Sequence, residues 1–405
     1  MISFLVACSS EPDTDEPEPM GEAVESAEGF ESHPQSHLIP HHDVPEEPLE
    51  AESLSEVEDE IPQPIQRVAD ILNGSIQEGI ELEFLYRNFR NLNVASLDEK
   101  RLLFMEENTH RFTLYNLESG EETELAEEGR GPGDLMFTRE MKTSDGYAWI
   151  AMQGFRVSGF DCQGETCEHD RTILTKTNNY SVAVHGDSLT ILGLPTIGFD
   201  DSPGPEETIS QYILHRYTID GDSLGMFSPA YDNQNPMVRE RINAEGKVHY
   251  HQKTDRTILI SQWLPFLYMY DENRELTQKY RLPEFIQWYY DHRKKDNVNP
   301  GEVIGYHRQD LEGSQLYYST IVDDRWLVLS FTSTTDMEGV DTSRPGSVPD
   351  SSNKHSMWYV MDLSTDRLYK IGKDDFGESG ELRQFYVTDH GVVLASETAA
   401  VWYPE

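Results

Sequence analysis

The chain has 405 residues, of which 37% are hydrophobic, so it is long enough for one large domain or two medium ones. Its formal net charge is −42, from 74 acidic and 32 basic residues. So negative a field repels phosphate, which argues against nucleic acid and anionic lipid headgroups as partners. The acid surplus serves solubility, or adaptation to high salt, where counterions screen the self-repulsion.

The chain begins with "MISFLVACSS", a short apolar stretch that ends at Cys8. It is too short to cross a bilayer, which takes about 20 residues. Leu5-Val6-Ala7-Cys8 fits the bacterial lipobox, in which small residues precede a cysteine that becomes lipidated. We therefore interpret residues 1–8 as the end of a lipoprotein signal whose basic region lies upstream of Met1. A chance cysteine is the alternative.

The next stretch is acidic and rich in Glu, Pro and Ser. Between Ser9 and Gln66 there are 18 acidic residues and no Lys or Arg. Such a segment cannot bury enough apolar surface to offset the entropy of ordering it. We predict a disordered acidic linker over residues 9–64, a tether that leaves residues 65–405 as the folded domain.

The folded part begins with "PIQRVADIL", a short helix or an irregular lead-in, followed by the β-prone "GIELEFLYRNF". One pattern then recurs five times and starts a sixth: an acidic or Gly turn, an apolar strand, a second strand and another turn. Short strands at this spacing indicate an all-β repeat. Because a propeller blade takes about 40–45 residues, we predict six blades, with seven as the alternative. The surplus fits insertions at 196–208, 283–318 and 333–355.

The sixth repeat stops early, which bears on how the ring closes. A closed β-propeller leaves no open sheet edge. The strand predicted at 80–89 can complete the last blade by pairing with the C-terminal strands "GVVLASE" and "AAVWYPE". We therefore predict closure by antiparallel pairing of N-terminal and C-terminal strands in one blade.

The loop "EEGRGPGDLM" at 127–136 carries three alternate glycines around Pro132. Glycines supply positive φ and proline fixes its own φ, as a connector between strands requires. A ligand contact is an alternative. A phosphate site is another, but the loop lacks Gly-Lys-Ser/Thr and its acids repel anions.

The stretch "HRFTLYNLESGEETELAEEGRGPGDLMF" resembles the first blade of the TolB-like and NHL-like six-bladed β-propeller lipoproteins of bacterial envelopes. Leu114-Tyr115-Asn116 with Gly120 fits that family's strand and turn. Its G-x-G-P-G-[ED] loop is matched by Gly129, Arg130, Gly131, Pro132, Gly133 and Asp134. The resemblance implies an exported protein at the cell envelope, lipid-anchored in the outer membrane.

Two further cysteines, Cys162 and Cys167, flank a Gln-Gly turn signal in "FDCQGETCEH". This spacing suits a hairpin whose cysteines face each other, and in an oxidising compartment they would form a disulfide. Free thiols are the alternative. A zinc site needs more ligands nearby than His169 alone.

Two stretches imitate hydrolase signatures, "HGDSLT" around Ser188 and "GDSLG" around Ser223. A nucleophile elbow needs a helix after the serine, and neither serine is followed by a helical pattern. Gly-Asp-Ser is also ordinary turn chemistry. We therefore assign no catalytic residue, and neither a cofactor nor a metal.

Two places are candidate binding sites. "KVHYHQ" puts His249 and His251 on one strand face, where they could reach a ligand or metal in the channel or simply be structural. The insertion that starts at Leu282 combines an aromatic helical stripe with the densest basic cluster. It either caps the propeller or binds an envelope protein or glycan through Trp288, Tyr289, Tyr290, Arg293, Lys294 and Lys295.

Together these patterns predict an exported, lipid-anchored β-propeller on an acidic tether, with a binding or scaffolding role. Its expected partners are the membrane, through the lipid anchor, and an envelope protein or glycan, but no nucleic acid. The alternative is a propeller hydrolase or lactonase with its active site in the central channel.

Overall fold

A computed structural model of the chain describes residues 44–57, 61–75, 79–82, 92–107, 109–194, 212–231, 242–286, 313–334, 354–375, 384–395 and 399–404. The predicted all-β class is confirmed, because nearly every described element is a strand. The first elements are strands β1 (Glu46–Pro48) and β2 (Ala51–Ser53), helix α1 (Gln63–Leu72) and strand β3 (Ile80–Leu82).

The first three blades are four-stranded sheets of sequential antiparallel strands. Blade 1 consists of β4 (Leu92–Ser96), β5 (Arg101–Glu106), β6 (Phe112–Asn116) and β7 (Glu122–Ala126). Blade 2 consists of β8 (Thr138–Ser144), β9 (Tyr147–Met152), β10 (Arg156–Asp161) and β11 (Glu168–Leu174). Blade 3 consists of β12 (Asn178–His185), β13 (Ser188–Leu194), β14 (Tyr212–Thr218) and β15 (Ser223–Pro229).

The next three blades repeat the arrangement with additions from the N-terminal elements. Blade 4 consists of β16 (Gly246–His251), β17 (Arg256–Ser261), β18 (Phe266–Tyr270) and β19 (Leu276–Arg281). Blade 5 consists of β20 (Gly313–Val322), β21 (Trp326–Thr334), β22 (Lys354–Asp362) and β23 (Arg367–Asp375). Blade 6 consists of β24 (Gln384–Thr388), β25 (Gly391–Ala395), β26 (Ala400–Pro404) and β3.

The six blades form a closed ring. The first strands of consecutive blades contact one another, and β24 of blade 6 contacts β4 of blade 1. Closure is antiparallel, with Ala400, Val401 and Trp402 of β26 opposite Leu82, Glu81 and Ile80 of β3. The predicted six-bladed propeller, closed by N-terminal and C-terminal strands, is therefore confirmed.

A hydrophobic cluster lies between every pair of neighbouring blades. Each blade is sandwiched between two others, so both faces of its strands are covered. This explains why β9, β17 and β21 carry continuous apolar runs rather than alternating ones. The core of the molecule is thus a ring of six separate interfaces around a polar axis.

The prediction of a disordered linker over residues 9–64 is wrong for its described end, residues 44–57 and 61–64. Strand β1 pairs in parallel with β19 on the outer edge of blade 4, and β2 pairs in parallel with β23 of blade 5. Helix α1 then packs Ile65, Val68 and Ile71 into the cluster between blades 5 and 6. The tether does contribute strands, and its described part crosses three consecutive blades.

The physical reason is that the partners of this segment lie far away in the sequence. Glu46 pairs with Arg281, with 3.0 Å between Oε1 and Nη1, and lies 3.8 Å from Lys279 Nζ. Glu52 forms an ion pair with Arg367. An acidic, apolar-poor segment is therefore ordered by backbone pairing and by bases on blades 4 and 5, rather than by a core of its own.

One predicted insertion also needs correction. Residues 283–318 were expected to lie outside the blades, but β20, the innermost strand of blade 5, begins at Gly313. Tyr317 and Tyr318 on this strand line the central channel.

Candidate ligand site in the central channel

The innermost strands of the six blades surround a cavity of about 480 Å³ on the propeller axis. All six blades contribute residues to its wall. Small-molecule sites usually have volumes of about 300–1,000 Å³ and a few convergent polar groups. The charged side chains near the beginnings and middles of the inner strands are Glu107, Arg139, Glu140, Lys142, Glu245 and Lys247.

Glu140 of β8 is the anionic centre of this wall and is 2% exposed. Its Oε1 lies 3.3 Å from Lys142 Nζ and 3.2 Å from Lys247 Nζ. Its Oε2 accepts hydrogen bonds from the Ser181 hydroxyl and, at 3.2 Å, from the Val182 amide. Burial alone would raise the pKa of this carboxyl, but the two lysines and Ser181 outweigh it and lower the pKa. Glu140 is therefore ionised and held in place.

His249 of β16 extends the network to blade 5. Its Nε2 lies 2.8 Å from Ser319 Oγ and its Nδ1 3.4 Å from Lys142 Nζ. Because an ammonium group only donates, Nδ1 accepts and Nε2 carries the proton. Burial, together with the charges of Lys142 and Lys247, lowers the pKa of His249 well below its usual value. The imidazole is neutral and connects three blades.

Arg139 stands beside this network, next to Tyr180. Its guanidinium carbon lies 5.6 Å from the centroid of the Tyr180 ring, a cation–π distance. Its buried Nε has no hydrogen-bond partner among the described residues. Nearby Glu107 accepts a hydrogen bond of 3.1 Å from Asn93 Nδ2. Burial raises the pKa of Glu107, although Lys247 and Arg139 act in the opposite direction.

The far mouth of the channel has the opposite charge. In every blade the turn from the first to the second strand contains an aspartate: Asp98, Asp145, Asp187, Asp255, Asp324 and Asp389. Several adopt left-handed backbone, with φ of 51° at Asp145, 50° at Asp255 and 46° at Asp324. Aspartate tolerates this conformation better than most residues, so turn chemistry places an acid at the same point of each repeat.

The two charge groups lie at opposite ends of the inner strands. Asn93, Arg139 and Lys247 are each the second residue of an inner strand, whereas the aspartates follow the strand ends. The channel therefore runs from a mouth with basic side chains to a mouth ringed by carboxylates.

The candidate binding histidines are both buried, 4% exposed at His249 and 1% at His251. His249 contributes to the channel wall. His251 lies outside the wall: its Nδ1 is 2.6 Å from Thr254 Oγ1 and its Nε2 is 2.9 Å from the Asp324 carbonyl oxygen. Cys8 and the insertion candidates lie outside the described residues: Trp288, Tyr289, Tyr290, Arg293, Lys294 and Lys295.

The two cysteines are joined in the structure by a disulfide bond, with 2.05 Å between the sulfur atoms. They lie at the end of β10 and just before β11, and both side chains belong to the cluster between blades 1 and 2.

The glycine-rich loop joins β7 of blade 1 to β8 of blade 2 and contributes nothing to the channel wall. Asp134 Oδ2 accepts a hydrogen bond of 2.7 Å from the Gly131 amide inside the loop. Gly133 has a φ of 86°, and a Cβ there would lie 3.1 Å from His169. The loop thus folds onto itself and against blade 2.

The two hydrolase-like serines lie in strands of blade 3. Ser188 Oγ donates to the His185 carbonyl oxygen at 3.3 Å and accepts from Arg216 at 2.9 Å. Ser223 begins the exposed outermost strand β15. Neither serine is followed by a helix in the described residues, which agrees with the turn interpretation.

Sequence reasoning missed Arg139, Glu140, Lys142 and Lys247. A signal was present, because Glu140 and Lys142 alternate on β8, as do Lys247 and His249 on β16. Charges at period two within an apolar repeat indicate a strand face that lines a polar channel. Only the ring geometry, however, brings the β16 lysine to the β8 carboxylate.

The described residues contain neither a metal-binding cluster nor a membrane-spanning helix. No three His, Cys, Asp or Glu side chains gather there as a metal site would require. Nor does that part of the chain contain a helix long and apolar enough to cross a membrane.

No protein family profile and no curated protein matches the chain. Several solved structures are similar. A Bacteroides vulgatus member of the DUF4221 family has a TM-score of 0.49 at 12% identity, covering 81% of this chain and 94% of that one. A Bacteroides fragilis protein inferred to be exported has a TM-score of 0.42 at 11% identity, covering 72% and 74%. Virginiamycin B lyase from Staphylococcus aureus has a TM-score of 0.43 at 10% identity, covering 81% and 99%.

Proposed function

We propose that the protein is a binding module of the bacterial cell envelope that holds a small polar ligand in the channel of its propeller. The observation that carries the proposal is the cavity of about 480 Å³ with its cluster of charged side chains. Glu140, Lys142 and Lys247 hold one another in position, so the wall is organised before a ligand arrives. Preorganisation lowers the entropic cost of binding.

The envelope location and the lipid anchor belong to the same proposal. The lipobox pattern that ends at Cys8 and the acidic stretch after it support an anchored, exported protein. The disulfide between Cys162 and Cys167 supports export as well, because disulfides persist mainly in oxidising compartments. A glycan or protein partner at the insertion around Trp288 is also part of the proposal. These residues lie outside the described part of the chain, so the support for this partner is the sequence pattern alone.

A second candidate function is hydrolysis in the channel. The observation in its favour is the Ser319–His249 pair, whose Oγ and Nε2 lie 2.8 Å apart. A catalytic histidine, however, is oriented by a carboxylate, whereas the second nitrogen of His249 meets Lys142. Ser319 is only 3% exposed, which hinders attack on a substrate. Binding is therefore the better proposal, and labelling of Ser319 by a fluorophosphonate probe would reverse that preference.

The test of binding is a thermal-shift screen against a library of small polar molecules, neutral and charged. Lys247→Gln removes one cation from the wall, and Lys100→Gln is the matched surface control, because Lys100 pairs with Glu118 outside the cavity wall. We expect hits that stabilise the wild type and the control but not Lys247→Gln. A library without hits, or hits that stabilise all three proteins equally, would reject the channel as a binding site.

A further inference from the structure

We propose that the channel ligand is a small organic acid and that Arg139, assisted by Lys247, binds its carboxylate. This inference rests on the proposed function, since it assumes that the cavity is a binding site. It adds the chemical class of the ligand and the group that recognises it.

The first argument is the state of Arg139. Its guanidinium lies against the Tyr180 ring. The buried Nε has no partner among the described residues, although an N–H buried without a partner costs free energy. The planar fork of an arginine matches the two oxygens of a carboxylate. A carboxylate beside Arg139 would supply the missing acceptor.

The second argument is the charge balance of the wall. Three bases, Arg139, Lys142 and Lys247, meet three acids, Glu107, Glu140 and Glu245, in this part of the cavity. Glu245 accepts a hydrogen bond of 2.5 Å from Trp263 Nε1. Glu140 already receives both lysines. Burial favours the neutral form of Glu107, so the positive charge of Arg139 is poorly compensated. One uncompensated cation suits a monoanion, whereas a phosphate dianion would require a second one.

The third argument is the direction of the electrostatic field along the channel. The aspartates of the six inner turns lie at one end of the inner strands, where Asp324 and Asp389 line the cavity, and they repel an anion there. Arg139 and Lys247 lie toward the other mouth, so an acid enters from that side. Burial raises the pKa of the Tyr317 hydroxyl in the wall, so it stays protonated and can donate to a hydroxyl group of the ligand. The Tyr386 hydroxyl already donates to Gln384 Oε1. Hydroxy acids and acidic sugars fit this set.

The experiment is calorimetric titration with hydroxy acids and uronic acids, each compared with its own amide. The amide has nearly the same shape but no charge. We expect at least one acid to bind, with its amide weaker by about tenfold or more. Arg139→Gln should weaken binding of that acid about tenfold to hundredfold and leave the amide unaffected. Arg216→Gln is the matched control, because Arg216 also has a buried, unpartnered Nε but lies outside the channel wall.

Arg139→Lys provides a second variant that keeps the charge and loses the fork, and it should bind the acid with intermediate affinity. Amides that bind as tightly as their acids, or acid binding unchanged in both Arg139 variants, would overturn the carboxylate assignment. If only neutral molecules bind, and only when Lys247 is intact, the carboxylate assignment is also wrong. The proposal that the channel is a binding site would then still hold. If neither the acids nor the wider library yields a binder, both proposals fail.

Discussion

Leu82 pairs with Ala400 in the ladder that completes blade 6, so the first strand of the ring and its last strand lie side by side in one sheet. Both side chains are buried in the cluster between blades 6 and 1, 4% exposed at Leu82 and fully covered at Ala400. This ladder supplies the fourth strand of blade 6, and it closes the ring together with the contact between β24 and β4.

Truncation should separate the role of the tether segment with β1 and β2 from that of the closing strand β3. Removing residues 9–57 deletes β1 and β2 with their ion pairs to Arg281 and Arg367. We expect a folded protein that is about 1–3 kcal/mol less stable, since the regained chain entropy offsets part of the lost contacts. Removing residues 9–89 deletes β3 and α1 as well, exposes the edge of β26, and should cause unfolding or aggregation. Thermal melting distinguishes the variants.

Deletion of residues 9–43 is the control, because it leaves every described contact in place and should melt like the full chain. Equal melting temperatures for the variants lacking 9–57 and 9–89 would contradict the closing role of β3.

Trp402 provides a point mutation at the same seam. It is 1% exposed and lies on β26 in the cluster between blades 6 and 1. Trp402→Ala should cost about 3–5 kcal/mol of unfolding free energy, because it opens a cavity where the ring closes. Leu174→Ala, at a side chain that is 71% exposed, should change stability by less than about 0.5 kcal/mol. Urea unfolding measures the free energy of unfolding of both variants. Similar losses in the two variants would contradict the claim that Trp402 belongs to a buried core where the ring closes.

As the pH is lowered, the protein should begin to lose stability at a higher pH than protonation of its carboxylates alone would cause. Burial, followed by the charge of Arg216, lowers the pKa of His185 from 6.5 to about 3, and burial lowers that of His249 well below 6.5. The unfolded chain takes up these protons near pH 6.5 and the folded chain does not. The two neutral histidines therefore contribute fully to the free energy of unfolding above about pH 6.5. This contribution falls toward pH 3, by about 1.4 kcal/mol per pH unit for each histidine.

His185→Gln removes one of these titrations, so its unfolding free energy should depend less steeply on pH below about 6.5. Urea unfolding at several pH values measures the slope. The wild type and the variant should have equal slopes near pH 8, and equal slopes at about pH 5 would contradict the assignment.

The disulfide can be tested by thiol titration of the unfolded, unreduced domain without Cys8. Cys162 and Cys167 should both be unreactive, and reduction should expose two thiols. Loss of so short a loop should cost about 2 kcal/mol. Two reactive thiols before reduction would show that the pair is free in the protein.

The anchor can be tested by fractionation. With a complete signal sequence restored upstream, the protein should partition into detergent, and Cys8→Ala should release it to the aqueous phase. Cys162→Ala is the control and should partition like the wild type. Unchanged partitioning of Cys8→Ala would reject lipidation at this residue.

Much of the architecture could be predicted because it repeats locally. Apolar runs such as "RTILIS" between acidic turns indicate strands covered on both faces, and the incomplete sixth repeat indicated how the ring closes. The pairing of the tether strands β1 and β2 with blades 4 and 5 could not be predicted in this way. The partners that order Glu46 and Glu52 are Arg281 and Arg367, and nothing in an acidic, proline-rich stretch shows that distant sheet edges will pair with it.

The candidate site was harder still to predict. His249 could be placed on an inner strand from its alternation with Lys247, but its role follows from neighbours on two other blades, Lys142 and Ser319. Contacts across a ring join residues with no local relation in sequence. The Nε of Arg139, which has no partner among the described residues, is likewise a property of the assembled channel rather than of any motif.

The six aspartate turns have a consequence for how the whole molecule orients. Charges repeated around a ring cancel one another's sideways contributions, so these carboxylates add only to a dipole moment along the channel axis. The basic side chains near the other mouth add to that moment in the same sense. Above a negatively charged surface the resulting torque would turn the aspartate mouth outward and the Arg139 mouth toward the surface.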